Sequence, residues 1–363
     1  MKIAIDISQV MYGTGVSVYT QNLVENLLKI DTANKYILFG GSLRRFKELN
    51  SLMTSIGVTV HGNSKLKLYP IPPTMADLIW NKLHILPIEA LTGKVDVFHS
   101  SDWTQPPSEA FKVTTIHDLV PLKYPEISHP SVTATHKARL KWVVKEVDRV
   151  IVPSKITAAD VAELGIDKNK IRIIPEAVDP DFIPATSKEV ETIKRKYKIT
   201  GKYLLAVGVN PRKNTERIIS AFKMLKNSLN LKLVVIGYSN KEKPSESDVI
   251  YTGHVPKSEL SAFYSGTEAL VYPSLYEGFG IPILEAFTCN IPIVTSKSSS
   301  TAEVAGEAAV LVDPESVDSI AEGISGAIRN REKLIKLGTD RVKQFSWEKT
   351  VKETLKIYEE STA

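Results

Sequence analysis

The sequence predicts two α/β domains in tandem, each built on a parallel sheet covered by helices. In the first half, apolar strand-like runs alternate with helical segments, which is typical of such sheets. A turn-rich, proline-punctuated stretch follows residue 175, and the alternation then starts again. The length of 363 residues exceeds that of a typical single core and fits two domains of ordinary size.

The first half opens with a strand at residues 2–7 and an amphipathic helix at residues 17–30, whose apolar residues recur at helical spacing. Short apolar runs and helical patterns continue to residue 175. The predicted strands are 36–40, 58–61, 95–99, 113–117, 149–153 and 171–175, with helices at 78–91 and 131–148.

The second half repeats this alternation after a charged helix at residues 187–197. We therefore predict a first domain at 1–183, an interdomain linker at 184–200 and a second domain at 201–345. Strands are predicted at 203–208, 231–237, 249–251, 269–273, 292–295 and 309–312, with a helix at 215–225. A terminal helix at 346–360 has Ser346 as its N-cap.

Composition narrows the class of protein. A net charge of +5 without a long basic tract argues against a nucleic-acid partner. The single cysteine, Cys289, excludes an intramolecular disulfide and fits a reducing compartment. The first strand begins directly after Met1, and no apolar run approaches the ~20 residues that span a bilayer. We expect a cytoplasmic protein.

The most informative motif is the segment 277–286, in which Glu277 and Glu285 stand eight residues apart around a glycine loop. An apolar strand precedes the loop and a short helix follows it. Such a corner gathers backbone N–H groups that suit a phosphate, while carboxylates accept hydrogen bonds from sugar hydroxyls. A nucleotide sugar has both groups, so the motif predicts a nucleotide-sugar site.

Four sets of candidate residues follow predicted strands. Ligands of open parallel sheets lie beyond the carboxyl ends of the strands. These residues are Gly13 and Gly15, Asp118, Arg212 and Lys213, and Glu277. Two sheets facing each other across a cleft would bring the four sets together. The adjacent Arg212 and Lys213 could neutralise a diphosphate, or form an ordinary solvated pair.

Two of these sets keep a purely structural alternative. Gly13 and Gly15 allow a ligand to approach the backbone closely, or serve only a turn. Asp118 caps a helix beside a packed His117, or both line a cleft; His99 and its neighbours form a weaker pattern of the same kind. Without a nucleophile motif, the His-Asp pair is poor evidence for a protease or esterase. No metal-ligand spacing is present, so we expect no metal and no cofactor.

Taken together, these motifs resemble the retaining glycosyltransferases of the group 1 or family 4 type, whose GT-B fold has two Rossmann-like domains facing across a cleft. The segment 277–285 matches their E-x7-E motif, and the resemblance covers nearly the whole chain. Matching segments are Gly13-Thr14-Gly15-Val16 with Tyr19-Thr20, His99-Ser100, Thr115-Ile116-His117-Asp118-Leu119, Tyr124-Pro125-Glu126, residues 173–179, Pro211-Arg212-Lys213-Asn214, and residues 301–306 with 312–314. The segments His117-Asp118-Leu119 and Pro211-Arg212-Lys213-Asn214 are most similar to those of the mannosyltransferase-type branch.

The resemblance implies a role for each candidate. Arg212 and Lys213 would hold the donor diphosphate and stabilise it as it leaves. Glu285 would bind the ribose, and Glu277 would bind sugar hydroxyls with the backbone of Gly278, Phe279 and Gly280. His117 would lie beside the transferred sugar, Gly13 and Gly15 near the diphosphate, and Asp118 near the acceptor. The terminal helix, 346–363, would cross back to the first domain.

Two departures from the family pattern stand out. Val209 occupies a position where many members carry an arginine, in a loop that is one residue shorter than usual. Asn290 replaces a common glycine, and asparagine tolerates the left-handed conformation.

The expected reaction transfers a hexose from a nucleotide diphosphate sugar to an acceptor hydroxyl with retention of configuration. No residue is an obvious carboxylate nucleophile, so the resemblance favours a front-face route in which the departing phosphate takes the acceptor's proton. GDP-mannose is the favoured donor; UDP-hexoses, UDP-N-acetylhexosamines and dTDP-rhamnose are alternatives. The acceptor is expected to be a glycan or a lipid-linked glycan at the inner membrane face.

Three rival functions stay open: a sugar-nucleotide epimerase, a phosphorylase of the same fold, and a non-catalytic nucleotide-sugar binder. Peripheral membrane contact is also open, through the predicted helix 131–148. It carries Lys137, Arg139, Lys141 and Lys145 beside Trp142 and Val143-Val144. The alternative is an ordinary amphipathic helix.

Overall fold

A computed structural model describes residues 1–55, 62–237 and 248–362. The chain divides into two compact units. The first comprises Met1–Glu176 and Ser346–Ala363, and the second comprises Ala177–Phe345. Each unit contains one sheet in which the described strand pairs are all parallel.

The first unit holds a seven-stranded sheet in the order β3-β2-β1-β4-β5-β6-β7. Because the order reverses beside β1, the ends of β1 and β4 form a switch point, where ligands of such sheets bind. The strands are β1 Lys2–Asp6, β2 Lys35–Gly41, β3 Ser64–Tyr69, β4 Val97–Ser100, β5 Phe111–Thr115, β6 Arg149–Val152 and β7 Ile171–Ile173.

Helices connect these strands. The first begins after Thr14, whose side chain accepts a hydrogen bond from the N–H of Ser17 in a capping box. The helices are α1 Gly15–Ile30, α2 Phe46–Ser55, α3 Pro73–Ala76, α4 Glu89–Thr92, α5 Val120–Lys123, α6 Pro130–Glu146 and α7 Lys155–Glu163.

The second unit holds a six-stranded sheet in the order β10-β9-β8-β11-β12-β13. The strands are β8 Tyr203–Val207, β9 Lys232–Ile236, β10 Val249–Gly253, β11 Ala269–Tyr272, β12 Ile293–Ser296 and β13 Val310–Val312. The helices are α8 Ser187–Lys196, α9 Thr215–Leu229, α10 Lys257–Ser265, α11 Ile281–Thr288, α12 Ser300–Ala305, α13 Val317–Arg329 and α14 Arg331–Val342.

Both faces of the second sheet are buried. Along β8, Tyr203 and Leu205 join one core cluster, while Leu204 and Ala206 join another. This alternation follows from the two-residue period of a strand. It explains why the strands are continuous apolar runs that the sequence reveals clearly.

The final helix, α15 Trp347–Glu359, belongs to the first unit. The hydroxyl of Tyr358 lies 2.6 Å from Nδ1 of His99 on β4. Ser346 caps this helix through the N–H of Lys349, in the role predicted for it. Among the described residues, no helix combines the length and apolar character needed to cross a bilayer.

Residues 184–200, which we predicted as a linker, lie within the second unit. Their helix α8 buries Ile193 in the core of that unit, and Tyr197 packs edge-on against Phe263 at 5.0 Å. The first unit's long segment ends at Glu176.

Two local predictions differ from the structure or fall outside it, and two elements were missed. The predicted helix 78–91 is wrong as one helix: π-type turns at Asp77–Lys82 end near His84 and Leu86, which have positive φ, and α4 begins separately. Pro87 disfavours helical conformation in the residue before it. The strand β3 and helix α2 were not predicted. The predicted strand 58–61 lies outside the described residues.

Candidate active site

A cluster around Glu277 joins the ends of β8 and β11 in the second unit. Oε2 of Glu277 accepts a hydrogen bond of 2.5 Å from Arg212, and Oε1 accepts one of 2.6 Å from Lys213. The hydroxyl of Tyr272, the last residue of β11, donates to Oε1 at 2.9 Å. Lys213 also donates to the Tyr272 oxygen. Two cations, one carboxylate and one phenol thus form a single network.

Burial would raise the pKa of Glu277, but the neighbouring Lys213 and Arg212 overcome it and lower this pKa to about 2. The carboxylate is therefore ionised at neutral pH and acts only as a hydrogen-bond acceptor. Burial, followed by the charge of Glu277, raises the pKa of Tyr272 well above its usual value. Tyr272 therefore stays protonated and acts as a donor.

The position of Lys213 depends on Gly208, which follows β8. Gly208 has a φ of 91°, and a Cβ placed there would lie 2.7 Å from Cγ of Lys213. The lysine side chain therefore passes directly over this backbone. Asn210 accepts a hydrogen bond from the N–H of Lys213 and caps the short 3-10 turn that carries Arg212. Val209 packs against the hydrophobic core of the second unit and is half-buried.

The loop 277–280 is fixed from one side. Ser300, at the start of α12, donates to the carbonyl oxygens of Glu277 at 2.6 Å and Phe279 at 3.2 Å. The ring of Phe279 is buried and contacts Phe345 edge-on at 5.8 Å. Phe279 can therefore meet a ligand only through its backbone. Gly280 has a φ of 116° and is the N-cap residue of α11.

Glu285 lies one turn into α11 and is partly exposed. Burial raises its pKa to about 7, and Asp179 adds to the rise against the opposing effects of Tyr264 and Lys213. At neutral pH this carboxyl is poised between its two protonation states, unlike Glu277.

In the first unit, His117 follows β5 and its Nδ1 lies 2.7 Å from Oε1 of Glu176. The ring of Tyr19, on α1, packs edge-on against the imidazole with centroids 4.5 Å apart. Burial lowers the pKa of His117, yet the bond and charge of Glu176 outweigh this and raise it above its usual value. Glu176 and Tyr19 thus fix the orientation and charge of His117.

The turn that contains Gly13 and Gly15 also belongs to the first unit, as does Asp118. Gly13 has a φ of 66°, and a Cβ on either Gly13 or Gly15 would meet nothing within 4 Å. Packing therefore does not require glycine at position 15. Asp118 accepts a hydrogen bond of 2.9 Å from the N–H of Val120, the first residue of α5, although the N-cap of this helix is Leu119. Its acceptor-binding role stays a prediction.

His99 has a structural environment. It is buried between the hydroxyls of Tyr358 and Thr115, at 2.6 and 2.9 Å. Burial, with smaller effects of His117 and Arg139, lowers its pKa to about 3. His99 is therefore a neutral hydrogen-bonding residue that ties β4 to α15.

On α6, where the sequence left membrane contact open, two of the residues concerned have partners inside the protein. Arg139 is fully buried and donates to Thr114 at 2.5 Å, with Asp102 3.3 Å away. Trp142 stacks on His84 with centroids 3.6 Å apart, and Val143 is buried. Of the residues that suggested a membrane contact, Lys137, Lys141 and Lys145 are exposed. The periodicity alone did not reveal that internal partners hold the arginine and the tryptophan.

The structure thus brings Arg212, Lys213, Glu277 and Glu285 together in the second unit, and it assembles a second group around His117 in the first. Sequence reasoning missed Tyr272, Tyr19 and Glu176 as members. Tyr272 ends an apolar strand with a polar tip, and Glu176 follows Pro175 just beyond β7; both positions at strand ends were usable signals. Among the described residues, no three His, Cys, Asp or Glu side chains are grouped as a metal site would require.

Comparison with known proteins agrees with this geometry. The model for glycosyl transferases group 1 matches residues 189–344, and that for glycosyltransferase family 4 matches residues 13–182. The O-antigen chain mannosyltransferase B of Escherichia coli is 30% identical over 287 residues, 72% of this chain and 74% of that protein. The O-antigen chain mannosyltransferase RfbU of Salmonella typhimurium is 32% identical over 61% of this chain and 60% of its own length.

Solved structures share the fold at low identity. Anabaena Alr3699/HepE, crystallised with UDP and glucose, has a TM-score of 0.70 at 12% identity and covers 99% of this chain and 100% of its own. WaaG, a glycosyltransferase involved in lipopolysaccharide biosynthesis, has a TM-score of 0.69 at 15% identity, covering 98% and 99%. The fold is therefore that of the GT-B glycosyltransferases, as the sequence predicted.

The matching family models and the relatives show that the protein is a sugar-transferring enzyme. The chain belongs to the group 1, family 4 glycosyltransferases.

Proposed function

We propose that this glycosyltransferase moves mannose from GDP-mannose to a hydroxyl of a glycan or lipid-linked acceptor, with retention of the anomeric configuration. The observation that carries the proposal is the buried network in which Arg212 and Lys213 meet Glu277. The choice of mannose draws on relatives named as O-antigen mannosyltransferases.

The charge of the network supports diphosphate binding. Arg212 and Lys213 face one ionised carboxylate, which leaves one net positive charge in a buried setting. In low dielectric this charge attracts an anion more strongly than it would in water. The arginine fork suits two phosphate oxygens and the lysine acts as a point charge. A leaving diphosphate needs this neutralisation more than it needs a proton.

Each carboxylate takes a different part of the donor in this proposal. Glu277, with a pKa of about 2, accepts hydrogen bonds from hydroxyls of the sugar. Glu285 accepts hydrogen bonds from the ribose once it is ionised. The backbone of the loop 278–280 lies between them. Gly13 and Gly15 are proposed to contact the diphosphate through their backbone.

Transfer is proposed to follow a front-face route, in which the departing phosphate oxygen accepts the proton of the attacking acceptor hydroxyl. Within the first unit, Glu176 keeps a proton on Nδ1 of His117, the residue proposed to contact the transferred sugar. An imidazole held in this way can donate a hydrogen bond to a sugar hydroxyl, but it supplies no nucleophile.

Calorimetric titration with GDP-mannose, UDP-glucose, UDP-GlcNAc and dTDP-rhamnose tests the donor. We expect GDP-mannose to bind at least about tenfold more tightly than the others, a difference of about 1.4 kcal/mol. If a UDP- or dTDP-sugar binds more tightly, that sugar nucleotide replaces GDP-mannose as the proposed donor. The enzyme class stays the same. Proton NMR of the product distinguishes retention from inversion at the anomeric carbon.

Glu277→Ala tests the network itself. We expect turnover to fall below about one hundredth of wild type, as when a preorganised charge is removed from an active site. Glu307→Ala, an exposed acid of the same unit, is the matched control. Full activity of the Glu277 variant would contradict the assigned role.

A further inference from the structure

The side chain of Ser300 holds the loop that carries Glu277 by its backbone. Ser300 is fully buried, and its hydroxyl donates to the carbonyl oxygen of Glu277 at 2.6 Å and to that of Phe279 at 3.2 Å. A serine hydroxyl has a single proton, so the shorter bond, to Glu277, is the stronger of the two. One side chain thus contacts alternate carbonyl groups of the loop.

Carbonyl groups that point toward Ser300 also decide where the N–H groups of the loop point. In a planar trans peptide, the C=O of one residue and the N–H of the next point in opposite directions, and no peptide bond of the described residues is cis. The N–H of Gly280, which follows Phe279, therefore points away from Ser300. Gly280 is the N-cap residue of α11, and the N–H of such a residue has no partner within its own helix.

Other contacts restrain the same loop from both sides. Arg212 donates to the carbonyl oxygen of Tyr276 at 2.7 Å, just before the loop. A Cβ placed on Gly280 would lie 3.1 Å from Cγ2 of Thr301, so the loop backbone lies directly against α12. Because these contacts do not depend on Ser300, loss of its hydroxyl should release two peptide groups without unfolding the loop.

The groups that Ser300 fixes are of two complementary kinds. Glu277 carries an ionised carboxylate, which accepts hydrogen bonds, and the backbone N–H of Gly280 donates one. A sugar hydroxyl can both donate and accept, so neighbouring hydroxyls of one ring can satisfy both groups. A phosphate at neutral pH only accepts, and the carboxylate would repel its charge. The loop therefore suits the sugar better than the diphosphate.

We propose that Ser300 is a positioning residue for the sugar of the donor. Its hydroxyl sets the Glu277 carboxylate and the Gly280 N–H in the arrangement that recognises sugar hydroxyls, and it has no part in holding the nucleoside diphosphate. The inference rests on the proposed function and divides its donor site in two. The two cations and Glu285 hold the nucleoside diphosphate, whereas the loop beside Ser300 recognises the sugar.

Calorimetric titration with GDP and with GDP-mannose tests this division. The ratio of the dissociation constant of GDP-mannose to that of GDP isolates the contribution of the sugar. In Ser300→Ala this ratio should rise about tenfold, whereas the affinity for GDP should stay within about twofold of wild type. A merely structural role would change both affinities alike, so an unchanged ratio would overturn the proposal.

Thr267→Val is the matched control. Thr267 is buried in the same unit, and its hydroxyl also donates to two carbonyl oxygens, those of Tyr203 at 2.9 Å and Ala269 at 3.1 Å. Valine removes this hydroxyl and keeps the shape of the side chain. The variant should keep the wild-type ratio. A rise equal to that of Ser300→Ala would overturn the proposal, because loss of any such hydroxyl would then suffice.

Amide NMR tests the direction of the Gly280 N–H. Labelling the carbonyl carbon of phenylalanine with ¹³C and the nitrogen of glycine with ¹⁵N selects glycines that follow phenylalanine, which are Gly40 and Gly280. Phe279→Leu removes one of the two signals and so assigns them. GDP-mannose should shift the Gly280 signal more than GDP does, with Gly40 on β2 as the internal reference. Equal shifts from the two ligands in the wild type would overturn the proposal.

The wild type separates this inference from the proposed function. If it binds another of the four nucleotide sugars most tightly, that compound and its own nucleoside diphosphate take the place of GDP-mannose and GDP in both tests. If the wild type binds none of the four, the proposed function fails and the inference fails with it. Wild-type binding with an unchanged ratio in Ser300→Ala counts against this inference alone.

Discussion

The Nδ1 atom of His117 lies 2.7 Å from Oε1 of Glu176, so the residue that ends the first unit's long segment controls a side chain at the tip of β5. Burial by itself lowers the pKa of the imidazole, and Glu176 reverses that direction. The pair gives the first unit a histidine that holds its proton more firmly than an exposed one.

Glu176→Gln should lower the pKa of His117, because the amide keeps the shape of the side chain but loses the charge that opposes burial. NMR titration of the His117 imidazole measures the change. The wild-type pair contributes stability below the unfolded pKa of histidine, and this contribution fades as the pH rises through the raised folded value. Glu126→Gln, an exposed acid of the same unit, is the control. An unchanged titration would contradict the assigned charge effect.

Tyr272→Phe should weaken both the fold and donor binding, because Glu277 and Lys213 lose a shared hydrogen-bonding partner. We expect a loss of about 1 kcal/mol in the free energy of unfolding, the usual value for a buried hydrogen bond. Donor affinity should fall about threefold or more, measured by calorimetry.

The control for Tyr272 is Tyr203→Phe. Tyr203 is equally buried in the same sheet and donates to the carbonyl of Phe263 at 2.8 Å. The Tyr203→Phe variant should lose a similar free energy of unfolding, measured with urea, and should keep the donor affinity of the wild type. Equal affinity losses in the two variants would assign the effect to the fold and not to the network.

Donor affinity should rise with pH through about 7, because Glu285 has a pKa of about 7 and its ionised form is the better acceptor for ribose hydroxyls. Titrations use a nucleotide sugar, since the terminal phosphate of a free nucleoside diphosphate has a pKa near 6. Glu285→Gln should flatten the dependence. The range from pH 6 to pH 8 covers about one unit on each side of that pKa. A wild-type affinity that stays constant over this range would contradict the contact of Glu285 with the ribose.

The same shift carries a stability consequence of opposite sign to that of most carboxyls. The folded state holds the Glu285 proton up to about pH 7, whereas the ordinary pKa of a glutamate is 4.5. Its contribution to stability therefore declines as the pH rises through that interval. Thermal unfolding of Glu285→Gln should show a smaller decline than wild type.

Gly15→Ala should leave stability unchanged or slightly higher, because its Cβ meets nothing within 4 Å and alanine favours helix. If a diphosphate approaches this turn, the added methyl group should still reduce kcat/KM about tenfold. Gly326→Ala, within α13 and with its nearest neighbour at 4.0 Å, is the control. Full activity of the Gly15→Ala variant would contradict a close approach of the diphosphate. The turn itself would then explain the glycine.

Much of the fold follows from local pattern. The second sheet was predictable because its strands are buried on both faces and give continuous apolar runs. Asn290 was expected to tolerate the left-handed conformation, and its φ is 56°. The helix predicted at 78–91 failed because helical periodicity continued past the point where Pro87 forbids it.

The site was predictable where it depends on strand ends and not where it depends on side-chain partners. Arg212 and Glu277 stand 65 positions apart, yet both follow adjacent parallel strands, which is enough to bring them together. Glu176 lay in a stretch whose prolines suggested only a turn. Arg139 gave the pattern of a surface cation, and nothing local indicated that Asp102 and Thr114 surround it.

The bond between His99 and Tyr358 has a consequence for how the molecule is made. Ribosomes deliver the chain from its first residue onward, and domains commonly fold in that order. Here His99 on β4 gains the hydroxyl of Tyr358 only after α15 has been made, whereas the second unit emerges uninterrupted between residues 177 and 345. The second unit, although encoded later, can thus reach its native state before the first unit has all of its contacts.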